Sequence, residues 1–434
     1  MKQLFGIALL FAVIVGRLDH AQPAWQQESV EFRNPTVENH YPDGITFRVE
    51  VCGREEYSSI DFDYTIDPFP QPDSVWIDAG LTFYEGQTPD GCFIQKLDLD
   101  TKPLDLPPFT VIHYSWSLGE SKPGVPNSPI YAFSYRDSTH AWKSLVNRNL
   151  IVRWHDRPDS FGQEVMSIAA IAYQDQAELY NGSLEGPITI VITNTQEEFD
   201  AWRVEDDVAG GTAFPEVYLT TQVVEDEQGY ENWLYDVIPH EISHIFFGNL
   251  LEKNRSLPLW LNEGFATHLE YSDHWDEWTA IRSAYDADSV WTLSELDPYF
   301  DADEPDVYYA YAQGYYAVLY MYEVYGGEAV SHLLSELREG NATDIAFQDS
   351  FGVSLDQFES EYLVWLATQT GTPPPSSALP TQTTDSDIAK QMGISLIMIL
   401  CVSPIFLVGF GLLGLGFLWV LNDIFSVKEK TTLP

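Results

Sequence analysis

The string His240-Glu241-Ile242-Ser243-His244 lies in a largely apolar run from Asn232 to Leu250, and it constrains the chain more than any other stretch. On a helix, residues four apart sit one turn apart on the same face, so both imidazoles meet at one point and Glu241 projects beside them. The pattern predicts a helix over 232–250, with Pro239 as a kink or a restart. After a turn containing Pro258, the sequence Leu259-Trp-Leu-Asn-Glu-Gly-Phe-Ala266 begins a second helix and sets Glu263 nineteen positions after His244. Two His and one Glu are an established ligand set for a zinc ion that keeps one position open. His240, His244 and Glu263 therefore read as ligands of one zinc ion, with Glu241 as general base. Glu270, two turns on from Glu263, falls on nearly the same face and is placed to hydrogen-bond a ligand imidazole. His268 and His274 read as surface residues, because three ligands are already assigned.

The stretches His240-Glu-Ile-Ser-His-Ile-Phe-Phe-Gly-Asn249 and Leu259-Trp-Leu-Asn-Glu-Gly-Phe-Ala266 resemble the zinc-binding core of gluzincin metallopeptidases. Within these the resemblance is to the aminopeptidase N and leukotriene hydrolase group and the related bacterial peptidase MA-like proteins. It is close over about thirty residues and extends loosely from about Arg148 to Ala367. It implies a zincin-like, thermolysin-type catalytic domain, with the same three ligands and Glu241 as catalytic base. It also implies an oxyanion role for Tyr311, in the run Tyr311-Ala-Gln-Gly314 that opens a helix, with Gln313 standing where the family has lysine. One position departs from the pattern. The family's Gly-Ala-Met-Glu-Asn edge strand is replaced by Gly210-Gly-Thr-Ala-Phe214, which puts Ala213 where a glutamate would bind the free amine of a substrate. Glu216 lies nearby in a different register. The resemblance therefore implies a peptidase that is not a strict aminopeptidase, with the edge strand still able to hold an extended peptide backbone.

The rest of the chain gives the setting. From about Pro23 to Asn147, runs such as Ile45–Val51 and Phe109–Trp116 alternate with period two between Pro, Gly and Asp clusters, which predicts an antiparallel β-sandwich over 22–147. After Arg148 a strand at Leu150–Trp154, a helix at Gln163–Tyr180 and a buried strand at Pro187–Thr193 precede mostly helical periodicity up to Ala367. The expected class is thus α+β, with the sandwich followed by a mixed, then helical catalytic domain over 148–367. The first 21 residues have the layout of a signal peptide. A Pro/Thr/Ser-rich stalk follows at 368–390, and Gln391–Asn422 holds 32 uncharged residues, enough for one membrane helix. Lys428 and Lys430 just beyond it place the tail, 423–434, on the cytoplasmic side and the bulk outside the cell.

Of three cysteines, Cys401 is in the apolar segment, which leaves Cys52 and Cys92 to pair in an oxidising compartment. With 21 Lys and Arg against 66 Asp and Glu, the net charge of −45 excludes a protein that grips nucleic acid phosphates. The expected partners are a peptide or protein substrate and, through the C-terminal helix, the cell membrane. Two other classes use the same residues: a surface binding protein on an inactive scaffold, and a hydrolase of a non-peptide substrate. The complete set of His240, Glu241, His244 and Glu263 favours the peptidase, since a binding scaffold has no need of Glu241 beside three ligands.

Overall fold

The computed structural model describes residues 30–53, 59–70, 74–119, 128–203, 210–225, 230–252 and 255–371. The segments read as signal peptide, membrane helix and cytoplasmic tail lie outside these residues, as does the stalk beyond residue 371. Among the described residues no helix is long and apolar enough to cross a membrane.

Eight strands come first: β1 (Glu31–His40), β2 (Gly44–Cys52), β3 (Ile60–Thr65), β4 (Ile77–Leu81), β5 (Phe83–Gln87), β6 (Phe93–Asp100), β7 (Val111–Leu118) and β8 (Tyr131–Ser134). They form two four-stranded sheets with orders β1-β2-β6-β5 and β4-β3-β7-β8, and every pairing is antiparallel. Alternation along β2 explains the layering. Ile45, Phe47, Val49 and Val51 point into a shared core, while Arg48 between them pairs outward with Glu38 and Glu85. The two sheets meet where the Phe47 ring lies 4.7 Å from Phe62 and 4.8 Å from Tyr114. Cys52, at the end of β2, is disulfide-bonded to Cys92, just before β6.

A second region is built on a five-stranded sheet. It contains β9 (Lys143–Val146), β10 (Leu150–Trp154), α1 (Asp159–Leu179), β11 (Ile188–Thr193), α2 (Gln196–Asp200), β12 (Gly211–Phe214) and β13 (Leu219–Val223). The strand order is β12-β13-β11-β10-β9; β10, β11 and β13 are parallel, and the two edge strands run antiparallel to them. The helix α1 is the crossover between β10 and β11, and it buries Val165, Ile168, Ala169 and Ala172, a stripe at helical spacing. His140, from the β8–β9 connection, stacks on the buried His155 after β10 at 3.9 Å, tying the first strands to this sheet.

The remainder is helical: α3 (Tyr230–Leu250), α4 (Leu259–His268), α5 (Trp275–Asp286), α6 (Asp306–Tyr320), α7 (Gly327–Arg338), α8 (Thr343–Phe351) and α9 (Leu355–Gln369). The fold is therefore mixed α+β, with sheets at the N-terminal side and helices at the C-terminal side. One continuous core joins α1, β11, α3, α4, α6, α8 and α9. Pro239 does not restart α3, which runs unbroken through it. The last helix ends at Gln369, two residues into the stretch read as stalk.

Candidate active site

Pro239 decides how the site is assembled. A proline has no N–H to give to the carbonyl four residues earlier, so the helix leaves Tyr235 O free. That oxygen instead accepts the backbone N–H of Tyr271 at 3.1 Å. The chain leaving α4 is thereby pinned to α3 one turn from His240, and Glu270 is delivered next to it. Glu270 Oε1 lies 2.7 Å from His240 Nδ1. The helix α4 ends at His268, so Glu270 reaches the imidazole from the following turn rather than from the helical face expected of it.

Two further contacts fix the helix that carries Glu263. The N–H of Trp260, in the first turn of α4, donates to Asp297 Oδ1 at 3.1 Å. Gly264 then lies against α6 so closely that a Cβ there would stand 2.5 Å from Gly314 O, so α4 and α6 pack backbone to backbone. The next residue back, Glu263, faces α3. Its Oε2 is 3.4 Å from His240 Nε2 and 3.5 Å from His244 Nε2. These are charge contacts: Glu263 Oε2 is closed to solvent and has no hydrogen-bond partner among the described residues. Three donors of the types that bind zinc converge within 4.8 Å of one another around an orphaned carboxylate oxygen, which is the arrangement a metal ion completes.

The second imidazole is oriented by a residue that the sequence reading did not single out. Asn262 Oδ1 lies 2.9 Å from His244 Nδ1, so His244 Nδ1 donates and Nε2 is left free to bind a cation. The only signal in the sequence was adjacency to Glu263. Glu241 is 5% exposed, and burial pushes its carboxyl above the ordinary range, against the pull of the two imidazoles. Burial opposes a charge on Glu263 as well, but His244 and His240 outweigh it and hold this carboxyl well below the ordinary range. The two neighbouring glutamates are thus driven in opposite directions, one suited to taking a proton and the other to remaining a charged ligand.

Strand β12 forms the opposite wall. A Cβ at Gly211 would stand 2.5 Å from Glu241 Oε1, so the absence of a side chain lets the strand approach the base. Gly211, Ala213, His240, Glu241, Glu263 and Tyr311 line one cleft of about 310 Å³. As an edge strand, β12 pairs, among the described residues, with β13 alone and leaves its other edge unpaired within the sheet. Glu216 does not line this cleft; it follows β12 in a 3-10 turn and lines a neighbouring one of about 730 Å³.

Tyr311 sits in the middle of α6, not at its start, because the helix begins at Asp306. Its ring is 6.1 Å from His240 and rests against Phe300 at 5.2 Å. Burial first, and then Glu263 and Glu241, raise its phenol well above the ordinary value, so it stays protonated and able to donate. Gln313 is fully buried and works in the fold: its Oε1 accepts from Trp291 N at 2.9 Å and its carbonyl from Tyr362 Oη at 2.8 Å.

The expectation that His268 and His274 are surface residues is overturned. The side chain of His274 is only 13% exposed and its ring stacks on Tyr315 at 4.2 Å; His268 stacks on Tyr322 at 4.7 Å. Tyrosines of α6 and of the π-helical turn after it cover both, a tertiary contact that local polarity does not announce.

Residues 169–368 match the family model of the Peptidase MA superfamily. The chain is 26% identical over 240 residues to an alanine/arginine aminopeptidase of Saccharomyces cerevisiae, covering 50% of this chain and 28% of that protein. It is 26% identical over 189 residues to aminopeptidase N of Rattus norvegicus, covering 42% and 18%. It therefore spans less than a third of the length of these curated relatives. Among solved structures, an M1 zinc metallopeptidase from Deinococcus radiodurans aligns over 82% of this chain and 97% of its own, at 12% identity and a TM-score of 0.37.

Proposed function

We propose that this protein is a zinc-dependent metallopeptidase of the gluzincin type, because residues 169–368 match the Peptidase MA superfamily model and the curated relatives it resembles are aminopeptidases. The observation that carries the reading is the convergence of His240, His244 and Glu263 on one point, with Glu241 in the same cleft. His240, His244 and Glu263 would hold one zinc ion. When bound, zinc polarises a carbonyl and lowers the pKa of water from 15.7 to about 7.

The chain's own groups do the rest. Glu241, with its raised carboxyl, takes the proton of the attacking water and returns it to the leaving amine. The protonated Tyr311 hydroxyl donates to the oxygen on which negative charge develops. The free edge of β12 pairs with an extended peptide and holds the scissile bond beside Glu241. Ala213 offers no carboxylate to a substrate's amino terminus, so chains are accepted whether or not that terminus is free.

The finer reading is a membrane-anchored enzyme with its catalytic region outside the cell, single-pass through Gln391–Asn422. It rests on the uncharged 32-residue segment and the lysines after it. The Cys52–Cys92 disulfide is in keeping with an oxidising compartment. The test is cleavage of a peptide mixture with free and acetylated amino termini, with and without a chelator. Chelator-sensitive cutting of both sets is expected; cutting confined to free termini would restore a strict aminopeptidase.

A further inference from the structure

A second set of donors lies directly behind Glu270. Glu270, His274 and Glu277 each bring a ligand atom within 4.8 Å of the others. His274 Nδ1 is 3.5 Å from Glu277 Oε2, the spacing that separates the imidazoles from Glu263 at the first site. It is also closed to solvent and has no hydrogen-bond partner among the described residues. From α3, Asp236 adds a fourth group whose Oδ1 is likewise buried and unpartnered. Two carboxylates and one imidazole are thus gathered in a largely enclosed place with a third carboxylate nearby, and among the described residues none of the three carboxylates is ion-paired to a lysine or arginine. Carboxylates whose nearest basic groups are imidazoles alone are costly to bury together, and two orphaned polar atoms mark where the compensation belongs.

We propose that Glu270, His274 and Glu277, with Asp236 beside them, form a second divalent-cation site, adjoining the first and sharing Glu270 with it. An imidazole among carboxylates suits a first-row ion such as Mn2+ or Zn2+ better than calcium, which takes oxygen ligands. One end of Glu270 is committed to His240, with Oε1 at 2.7 Å from Nδ1. A cation behind it fixes that carboxylate and, through it, the orientation of the first-site imidazole. The two sites are therefore coupled through one side chain. The ring of His274, stacked on Tyr315, is already held in place for this role.

The test is a titration of the metal-depleted full-length protein with MnCl2, following free Mn2+ by its EPR signal. Wild type is expected to take up two equivalents. Glu277→Gln and, independently, His274→Asn are each expected to take up one, and His244→Ala, which breaks only the first site, also one. A single equivalent in wild type, lost in His244→Ala and kept in Glu277→Gln, would overturn the proposal. Two equivalents retained in both Glu277→Gln and His274→Asn would overturn it as well, by placing the second ion elsewhere. If one equivalent in wild type is lost in Glu277→Gln and kept in His244→Ala, the second site stands and the first-site assignment fails.

Discussion

Asn262 Oδ1 lies 2.9 Å from His244 Nδ1, and the next residue in the chain, Glu263, brings Oε2 to 3.5 Å from the other nitrogen of the same ring. One turn of α4 thus both orients His244 and supplies its neighbouring ligand. Removing the orienting bond leaves the ring free to turn and to change tautomer. Asn262→Ala should weaken zinc binding by roughly 10–100-fold, the usual effect of losing such a partner. Asn262→Asp should retain most of the affinity, because it keeps an acceptor. Competition against a chromogenic chelator reads both.

Pro239→Ala tests how Glu270 is delivered. Alanine supplies an N–H that bonds Tyr235 O within the helix and displaces Tyr271 N from it. The helix itself gains, while the turn that carries Glu270 loses its anchor. The expected result is a folded protein whose zinc affinity falls about tenfold. Unchanged affinity would show that Glu270 is placed by other contacts.

Ala213→Glu tests the account of specificity. A carboxylate on β12 at the cleft wall would meet the cationic amino terminus of a bound peptide. The ratio of kcat/KM for free over acetylated peptides should rise by about tenfold or more, the effect of a gain near 1.4 kcal/mol. An unchanged ratio would mean that position 213 does not face the substrate's end.

His268 gives a pH dependence of stability. Burial, with the nearby His274, lowers its imidazole from 6.5 to about 4. The unfolded chain therefore binds a proton between these values that the folded chain refuses. The contribution to stability is complete above about pH 6.5 and is lost as pH falls toward 4, by roughly 3 kcal/mol in all. In the metal-free protein, the fall in urea midpoint between pH 7 and 4.5 should shrink in His268→Gln. An equal fall in both proteins would assign the acid sensitivity to other groups.

Local pattern carried much of this molecule. The i, i+4 imidazoles could meet only on a helix, and alternation in β2 and β7 was enough to place two antiparallel sheets face to face. What the sequence hid was tertiary. The burial of His268 and His274 depends on Tyr322 and Tyr315, 54 and 41 residues further along the chain. The link from Tyr271 to Tyr235 depends on a carbonyl freed by Pro239, which in sequence reads only as a break in a helix. In sequence Glu270 reads as a partner of one or other imidazole from the face of α4, whereas the turn after α4, not its face, brings it to His240. The start of α6 was read five residues late, because Asp306–Ala310 is too tyrosine-rich and short of a capping side chain to mark a helix start.

The most direct test of the central claim replaces Glu241 with glutamine, which keeps the shape of the side chain and removes its ability to accept a proton. Zinc content and turnover of an acetylated peptide are then measured on the same preparation. The account predicts one catalytic zinc retained at the His240, His244 and Glu263 site and kcat lowered by at least 10²–10⁴-fold. Turnover at the wild-type rate, with zinc in place, would contradict it.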